Sequence, residues 1–194
     1  MTMASIINIT ANFISRVFGP ITTMSFLLWF IVNDRHAISW SGDRELLLVT
    51  LLTSVIAPIA IFASFYLFGL ISDVEVTDRR QRPLALFFVL LIHMVGLYYI
   101  WQSDVFWRYV IFFVWWFLVM LTVFIISFIW KISLHMVGIS SVCIALIYFY
   151  GPAFIPSLLL LPIIAWSRIV LKKHGFWQLF WGSVMPLVWW VLLI

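Results

Sequence analysis

Three short polar segments interrupt an otherwise apolar chain and hold side chains that could act on a phosphate ester. Arginine forks grip phosphate oxygens in pairs, and lysine adds a point charge. Of two histidines, one could attack phosphorus while the other protonates the departing oxygen, since imidazole titrates near neutrality. The residues of the three segments, in chain order, are Arg79 and Arg82; Lys131, Ser133 and His135; and Ser167, Arg168 and His174.

Spacing in the third segment predicts how its histidine is held. His174 and Gln178 are four residues apart, and Ser167 and His174 are seven apart, so both pairs lie on one helical face. The Gln178 carbonyl could accept the Nδ1–H of His174 and leave Nε2 free to attack. We therefore predict His174 as a nucleophile with Gln178 as its partner.

The composition places these segments in a membrane protein. Hydrophobic residues make up 65% of the 194 residues and charged residues 9%, against roughly 45–50% and 25% in soluble domains. A membrane-crossing helix needs about 20 apolar residues. The chain is thus predicted to be all-α, a single membrane-embedded domain over 1–194 with six to seven spans. Cys143 is the only cysteine, which excludes a disulfide framework, and the net charge of +4 favours lipid headgroups or phosphate over nucleic acid.

The order of spans places the three segments together. Residues 1–19 are predicted to lie along the interface as a helix, Pro58 to kink the second span, and tryptophans to mark span ends. Two spans separate each polar segment from the next, so all three emerge on one face. The predicted spans are 20–32, 46–72, 83–101, 105–130, 136–150, 152–170 and 176–194. A polar loop is predicted at 33–45 and a tight turn at 102–104.

Basic residues divide unevenly between the two faces. The count is eight on the face of the polar segments and three on the other, which predicts a cytoplasmic location for the segments under the positive-inside rule. That rule alone can explain why arginine and lysine are more frequent on this face, with no need for a phosphate substrate. The two histidines at motif spacing are what favour a phosphate-binding site. Arg82, Lys131 and Arg168 are also candidate phosphate ligands, so their positions have a second explanation. When these three are left out, the count of basic residues is five against three, which favours the cytoplasmic face only slightly. We expect an integral protein of a bacterial or archaeal plasma membrane.

At these residues the chain resembles the type-2 phosphatidic acid phosphatase superfamily of membrane lipid phosphatases, over about 72–182. The family motifs are Lys-x6-Arg-Pro, Pro-Ser-Gly-His and Ser-Arg-x5-His-x3-Asp. Arg82-Pro83 fits the end of the first, 133–135 the second, and Ser167-Arg168 with His174 the third. The resemblance implies a metal-independent, cofactor-free hydrolase that forms a phosphohistidine on His174. It implies His135 as general acid, and Arg82, Arg168 and Ser133 as phosphate ligands.

Three positions depart from the family pattern. Glu75 stands in place of the first-motif Lys, so Arg79 or Lys131 would have to supply that cation. Leu134 replaces a Gly, which removes freedom from the turn. Gln178 replaces an Asp, and a neutral amide stabilises an imidazolium less well than a carboxylate does.

Two other classes compete with the lipid phosphatase, whose substrate we expect to be a prenyl phosphate or phosphatidic acid. One is a non-catalytic lipid-binding protein on the same fold. The other is a Mg²⁺-dependent intramembrane prenyltransferase, suggested by the acidic residues of 73–78 followed by Arg-Arg-x-Arg-Pro, although the chain has no second acidic cluster. His93 and Cys143 are interpreted as packing residues within spans, and His36 as a loop residue. The sequence leaves the oligomeric state open.

Overall fold

The computed structural model describes residues 2–33, 44–103 and 107–193, and within these stretches it contains helices and loops but no strand. The predicted loop of 33–45, with His36, falls almost wholly outside the described residues, as does Asp104 of the predicted turn at 102–104. The helices are α1 Met3–Val17, α2 Pro20–Asn33, α3 Arg44–Leu51, α4 Ala57–Leu67, α5 Arg82–Gln102, α6 Trp107–Ile129, α7 Leu134–Tyr150, α8 Leu160–Val170 and α9 Phe176–Leu193.

Five helical segments in the described part of the chain are long and apolar enough to cross a membrane. They are Leu48–Leu67, Arg79–Gln102, Trp107–Ile129, Pro152–Val170 and Phe176–Leu193. The helix at Leu134–Tyr150 is apolar but shorter. The all-helical, membrane-embedded class is therefore confirmed, whereas the count of six to seven spans and the interfacial position of α1 stay predictions.

Two helix irregularities have local causes. A π-helical turn, Leu52–Ile56, joins α3 to α4 immediately before Pro58. Proline lacks a backbone N–H and its ring clashes with the carbonyl four residues earlier, so the helix widens there. Further on, α4 ends at Leu67 rather than continuing to 72, because Gly69 adopts a left-handed conformation (φ +71°). The Leu70 N–H then donates to the Phe65 carbonyl at 2.8 Å, which closes the helix end.

The chain divides into two compact units. We call Met1–Leu27 with Ile132–Leu192 the terminal unit, and Leu28–Lys131 the central unit. The terminal unit contains α1, the start of α2, and α7 to α9. Its core is a cluster of buried residues against which Ile14 and Phe18 pack: Met136, Ile139, Cys143, Ile164 and Leu179.

In the central unit, α5 and α6 form the main helix pair, with α3 and α4 against α5. Trp115 and Val119 of α6 are fully buried there. Gly96 of α5 allows close approach to the π-helical turn, since a Cβ at this position would lie 2.5 Å from Thr53 Oγ1. Many of the large apolar side chains on the outer surface of α5 and α6 are exposed, as expected of helices that face lipid.

Candidate functional site

The nine predicted site residues are shared between the two units. The terminal unit holds six of them, Ser133, His135, Ser167, Arg168, His174 and Gln178. The central unit holds the other three, Arg79, Arg82 and Lys131. The geometry of each group is described within its own unit.

The second and third predicted segments meet inside the terminal unit. Ser133 is the N-cap residue of α7, and its backbone N–H donates to the Gln178 carbonyl at 3.2 Å. Gly182 makes this approach possible, because a Cβ there would lie only 2.9 Å from the Ser133 carbonyl oxygen and 2.9 Å from Met136 Cβ. The start of α7 and the first turns of α9 are therefore held in direct contact.

A tight turn carries the chain from α8 to His174. Lys172 adopts a left-handed conformation (φ +52°) directly after the helix end. The Lys173 N–H donates to the Arg168 carbonyl at 3.1 Å and the Lys172 N–H to the Ile169 carbonyl at 2.9 Å. This pair of bonds is a Schellman motif, in which glycine usually occupies the left-handed position. The turn ties the backbone of Arg168 to the segment that bears His174.

His174 and Gln178 form the predicted hydrogen bond. The helical face predicted to be shared by this pair and by Ser167 and His174 is wrong, because α8 ends at Val170 and α9 begins at Phe176. His174 Nδ1 lies 3.1 Å from Gln178 Oε1, and the Gly175 N–H donates to the same Oε1 at 3.2 Å. Because a backbone N–H only donates, the atom it contacts is the amide oxygen. His174 Nδ1 must then carry the hydrogen, and Nε2 of the neutral ring keeps its lone pair. A neutral Gln178 thus selects the tautomer needed for attack through Nε2.

A second cluster joins Arg168 and His135 to a residue that the sequence interpretation missed. Arg168 Nη1 donates to Ser15 Oγ and lies 3.5 Å from His135 Nε2. His135 Nε2 also lies 3.1 Å from the Ser15 carbonyl oxygen and 3.4 Å from Ser15 Oγ. All three side chains are buried, with exposures of 2% for Arg168, 5% for His135 and 3% for Ser15. One signal could have found Ser15: Ala11 and Ser15 are small residues four apart on a helix of bulky side chains, a spacing typical of close helix contacts in membranes.

Two serines of this site leave buried hydroxyl groups unsatisfied. Ser133 and Ser167 are fully buried, and within the described structure neither Oγ has a hydrogen-bond partner. Ser133 does not cap α7, although N-cap serines ordinarily accept from the first turn. A buried polar group without a partner costs about 1–3 kcal/mol. An anion with several acceptor oxygens would satisfy such hydroxyls and the first-turn N–H groups of α7 together.

In the central unit, Arg82 is engaged with its own loop. Arg82 is 3% exposed, and its Nε donates to the Val76 carbonyl at 2.9 Å. Val76 is buried and left-handed (φ +46°), which is rare for a β-branched residue. Asp73 supports the same loop by accepting from the N–H and the hydroxyl of Thr77. Arg82, a predicted phosphate ligand, therefore uses its Nε–H to stabilise the loop.

Arg79 lines an open groove in the central unit. Its Nη1 donates to the Phe128 carbonyl, near the end of α6, at 2.9 Å. The groove has a volume of about 590 Å³. Two arginines line it together with mostly apolar and aromatic residues: Arg79, Arg80, Pro83, Leu84, Phe87, Phe124, Ser127 and Phe128. An amphiphile with an anionic head and an apolar tail matches this lining. Lys131 follows α6 in the chain and is half-buried.

The acidic segment does not form a metal site in the described residues, where no three His, Cys, Asp or Glu side chains come together to bind an ion. Asp73 accepts hydrogen bonds from Thr77, and the Asp78 carboxylate caps a short 3₁₀ turn by accepting from the Arg80 N–H at 3.0 Å. Both carboxylates are thus used in local structure, and this arrangement offers the prenyltransferase interpretation no support.

The interpretation of His93 and Cys143 as packing residues agrees with their contacts. His93 Nδ1 lies 2.8 Å from the Val89 carbonyl, and Trp116 Nε1 donates to His93 Nε2 at 3.0 Å, so both ring nitrogens are occupied. Cys143 is buried in the terminal core, where its thiol contacts the Ser157 carbonyl. Neither residue faces another predicted site residue through these bonds.

No family model, curated protein or solved structure matches this chain. The resemblance to lipid phosphatases therefore rests on the motif residues themselves.

Proposed function

We propose that the protein is a metal-independent phosphatase that removes phosphate from a membrane lipid through a phosphohistidine. The observation that carries the proposal is the buried cluster of the terminal unit, in which Arg168 and His135 lie together and the hydroxyls of Ser133 and Ser167 lack acceptors. A phosphate dianion would supply acceptor oxygens to all four groups. Charge-assisted bonds of this kind are strongest where water is excluded.

The two histidines have complementary roles in the proposed reaction. His174 Nε2 attacks phosphorus, the bond between phosphorus and the lipid oxygen breaks, and that oxygen takes a proton from His135. A water molecule then attacks the phosphohistidine, the P–N bond breaks and inorganic phosphate leaves, while neutral His135 accepts a proton from the water. The tautomer of His174 supports this assignment, because the hydrogen is on Nδ1 and the lone pair is therefore on Nε2. General acid catalysis contributes about 10²–10⁴-fold in such reactions.

The lipid nature of the substrate is supported by the apolar helices and by the groove of the central unit. Arg79 and Arg80 contribute positive charge to the lining of that groove, and Phe87 and Phe124 contribute apolar surface. These features favour a substrate recognised by a phosphate and an acyl or prenyl tail. Phosphatidic acid and prenyl phosphates both have this chemistry.

The experiment is a phosphate-release screen over lipid phosphates and diphosphates with purified protein in detergent and a metal chelator present. We expect release by the wild type and a loss of at least about 10³-fold for His174→Ala. Acid-labile radioactive phosphate should be trapped on the wild type during turnover and not on His174→Ala. His36→Ala removes a histidine outside every motif and serves as the matched control. Equal release by wild type and His174→Ala would contradict the proposal.

A non-catalytic lipid-binding protein is the second candidate, and the groove is the observation that favours it, since its lining requires no histidine. This function predicts that the protein retains phosphatidic acid in detergent and releases no phosphate from it. Binding that persists in His174→Ala, together with absence of turnover in the wild type, would establish it over the phosphatase.

A further inference from the structure

The geometry assigns Ser15 of α1 as a positioning residue that holds Arg168 and His135 for an oxyanion. This inference deepens the proposed phosphate chemistry and depends on it. Ser15 lies 120 residues before His135 and 153 before Arg168, yet it contacts both. No motif of the three polar segments includes it.

The hydroxyl of Ser15 fixes the guanidinium. Arg168 Nη1 donates to Ser15 Oγ, and the arginine is almost fully buried. Buried arginines need defined acceptors, because an unpaired charge removed from water is costly. Ser15 accepts a hydrogen bond from one donor of the guanidinium. Because the guanidinium is planar and rigid, fixing this donor also restricts the directions of the other donors. The side chain of Arg168 is thereby held in one direction before any ligand binds.

The backbone of Ser15 fixes the tautomer of His135. The Ser15 carbonyl lies 3.1 Å from His135 Nε2, and a carbonyl oxygen only accepts. The guanidinium of Arg168 also only donates, but its Nη1 lies farther from this nitrogen, at 3.5 Å. The shorter carbonyl contact places the hydrogen of the neutral ring on Nε2, and the second proton of the imidazolium is then on Nδ1. It follows that His135 delivers its proton from Nδ1. His174 has the opposite arrangement, with its hydrogen on Nδ1 and its lone pair on Nε2.

The position of α1 is well determined by packing. Ala11 is fully buried, and Ile14 and Phe18 pack against the core of the terminal unit. Close by, the start of α2 packs against α7, where a Cβ at Gly138 would lie within van der Waals contact of the Pro20 Cα, at 3.4 Å. Residues before and after Ser15 in the chain are therefore packed within the terminal unit, and this packing fixes the position of Ser15.

The test measures binding of orthophosphate to the full-length protein in detergent, by titration calorimetry and ³¹P line broadening. Ser15→Ala removes the hydroxyl that holds Arg168, and we expect the phosphate Kd to rise about tenfold. Ser15→Thr keeps a hydroxyl and should restore the Kd to within about threefold of the wild type. Ser5→Ala, a serine removed elsewhere on α1, should bind as the wild type does. Ser5→Ala should unfold as the wild type does, whereas Ser15→Ala should unfold at a lower temperature because a donor of buried Arg168 loses its acceptor. Phosphate affinities are therefore compared at a temperature at which all variants are folded.

A second readout follows the tautomers in protein labelled with ¹⁵N-histidine, with the signals assigned through His135→Gln and His174→Gln. Neutral His135 should be protonated on Nε2, and neutral His174 on Nδ1. Ser15→Ala should leave the His135 tautomer unchanged, because the backbone carbonyl remains.

The two proposals fail in different ways. An unchanged phosphate Kd in Ser15→Ala, absence of phosphate binding by the wild type, or a neutral His135 protonated on Nδ1 would overturn the role of Ser15. Phosphate binding that depends on Ser15, without hydrolysis of any lipid phosphate, would support Ser15 and overturn the phosphatase. Hydrolysis of a lipid phosphate by the wild type, with no effect of Ser15→Ala on phosphate affinity, would support the phosphatase and overturn the role of Ser15.

Discussion

Two arginine-bearing segments, equally suited by sequence to bind phosphate, are used differently by the fold. In the terminal unit, Arg168 lies beside His135, another predicted site residue, and is held by a serine side chain. In the central unit, Arg82 donates to the Val76 carbonyl and Arg79 to the Phe128 carbonyl. The first arrangement keeps side chains of complementary chemistry together. The second uses cations to satisfy backbone oxygens.

The difference shows that a motif arginine carries no fixed role. A guanidinium has five donors, so one arginine can support a loop and bind a ligand with separate atoms. Buried hydroxyls without partners occur in both units of the described structure, but only in the terminal unit are two of them, Ser133 and Ser167, themselves predicted site residues. Hydroxyl groups without acceptors favour the binding of a ligand in the terminal unit. In the central unit, the hydrogen bond from Arg82 to its own loop favours a rigid loop.

The largest effect is expected from removing the terminal arginine. Arg168→Gln should lower phosphate release by about 100- to 1,000-fold, the range for loss of one donor to a developing oxyanion. Arg79→Gln should lower it by less than about fivefold, because Arg79 lines an open groove. Steady-state release from phosphatidic acid in detergent measures both. Equal losses would show that the central unit contributes as much as the terminal one.

Two glycines provide a matched pair for packing. Gly182→Ala forces a methyl group against the Ser133 carbonyl, and Gly96→Ala forces one against Thr53. Overpacking typically costs about 1–3 kcal/mol, so both variants should unfold at lower temperature. Only Gly182→Ala should also lower phosphate release by the folded protein, by about tenfold, since it displaces Ser133 from Gln178. A similar loss in Gly96→Ala would contradict the assignment of the site to the terminal unit.

Arg82 should matter for stability. Arg82→Met leaves the Val76 carbonyl without this donor and should lower the free energy of unfolding by about 1–3 kcal/mol. Arg80→Met, an exposed arginine two residues away, should change it by less than about 0.5 kcal/mol. Thermal unfolding in detergent compares them. A stable Arg82→Met protein would mean that the loop does not depend on this bond.

The smallest effects should come from two helix ends of the same type. Lys172 and Gly69 both occupy the left-handed position of a Schellman motif, one in each unit. A non-glycine residue there costs about 1–2 kcal/mol. Lys172→Gly should therefore raise, and Gly69→Ala lower, the free energy of unfolding by about 1 kcal/mol. Shifts of the same sign in the two variants would exclude this explanation.

The long apolar helices were predictable from the sequence because a lipid bilayer requires them. Helices long enough to cross a bilayer follow from apolar runs, since backbone groups in lipid must pair internally. The bond between His174 and Gln178 was predicted from a shared helical face, but its actual cause is different: Gln178, in the first turn of α9, reaches back to the residues that precede the helix. The end of α4 at Leu67 was missed, since Gly69 closes the helix through its backbone conformation before the apolar run ends.

Residue types, their spacing and the membrane class were determined by the sequence alone, because these depend on hydropathy and on contacts within a few residues. The partners of Arg168 and Arg82 were decided only by the tertiary structure. Ser15 reaches Arg168 from a helix 153 residues away, and no local pattern encodes that separation. Long-range contacts arise from how small residues such as Ala11 and Gly182 let helices approach. The direction in which each buried donor points is settled by that packing.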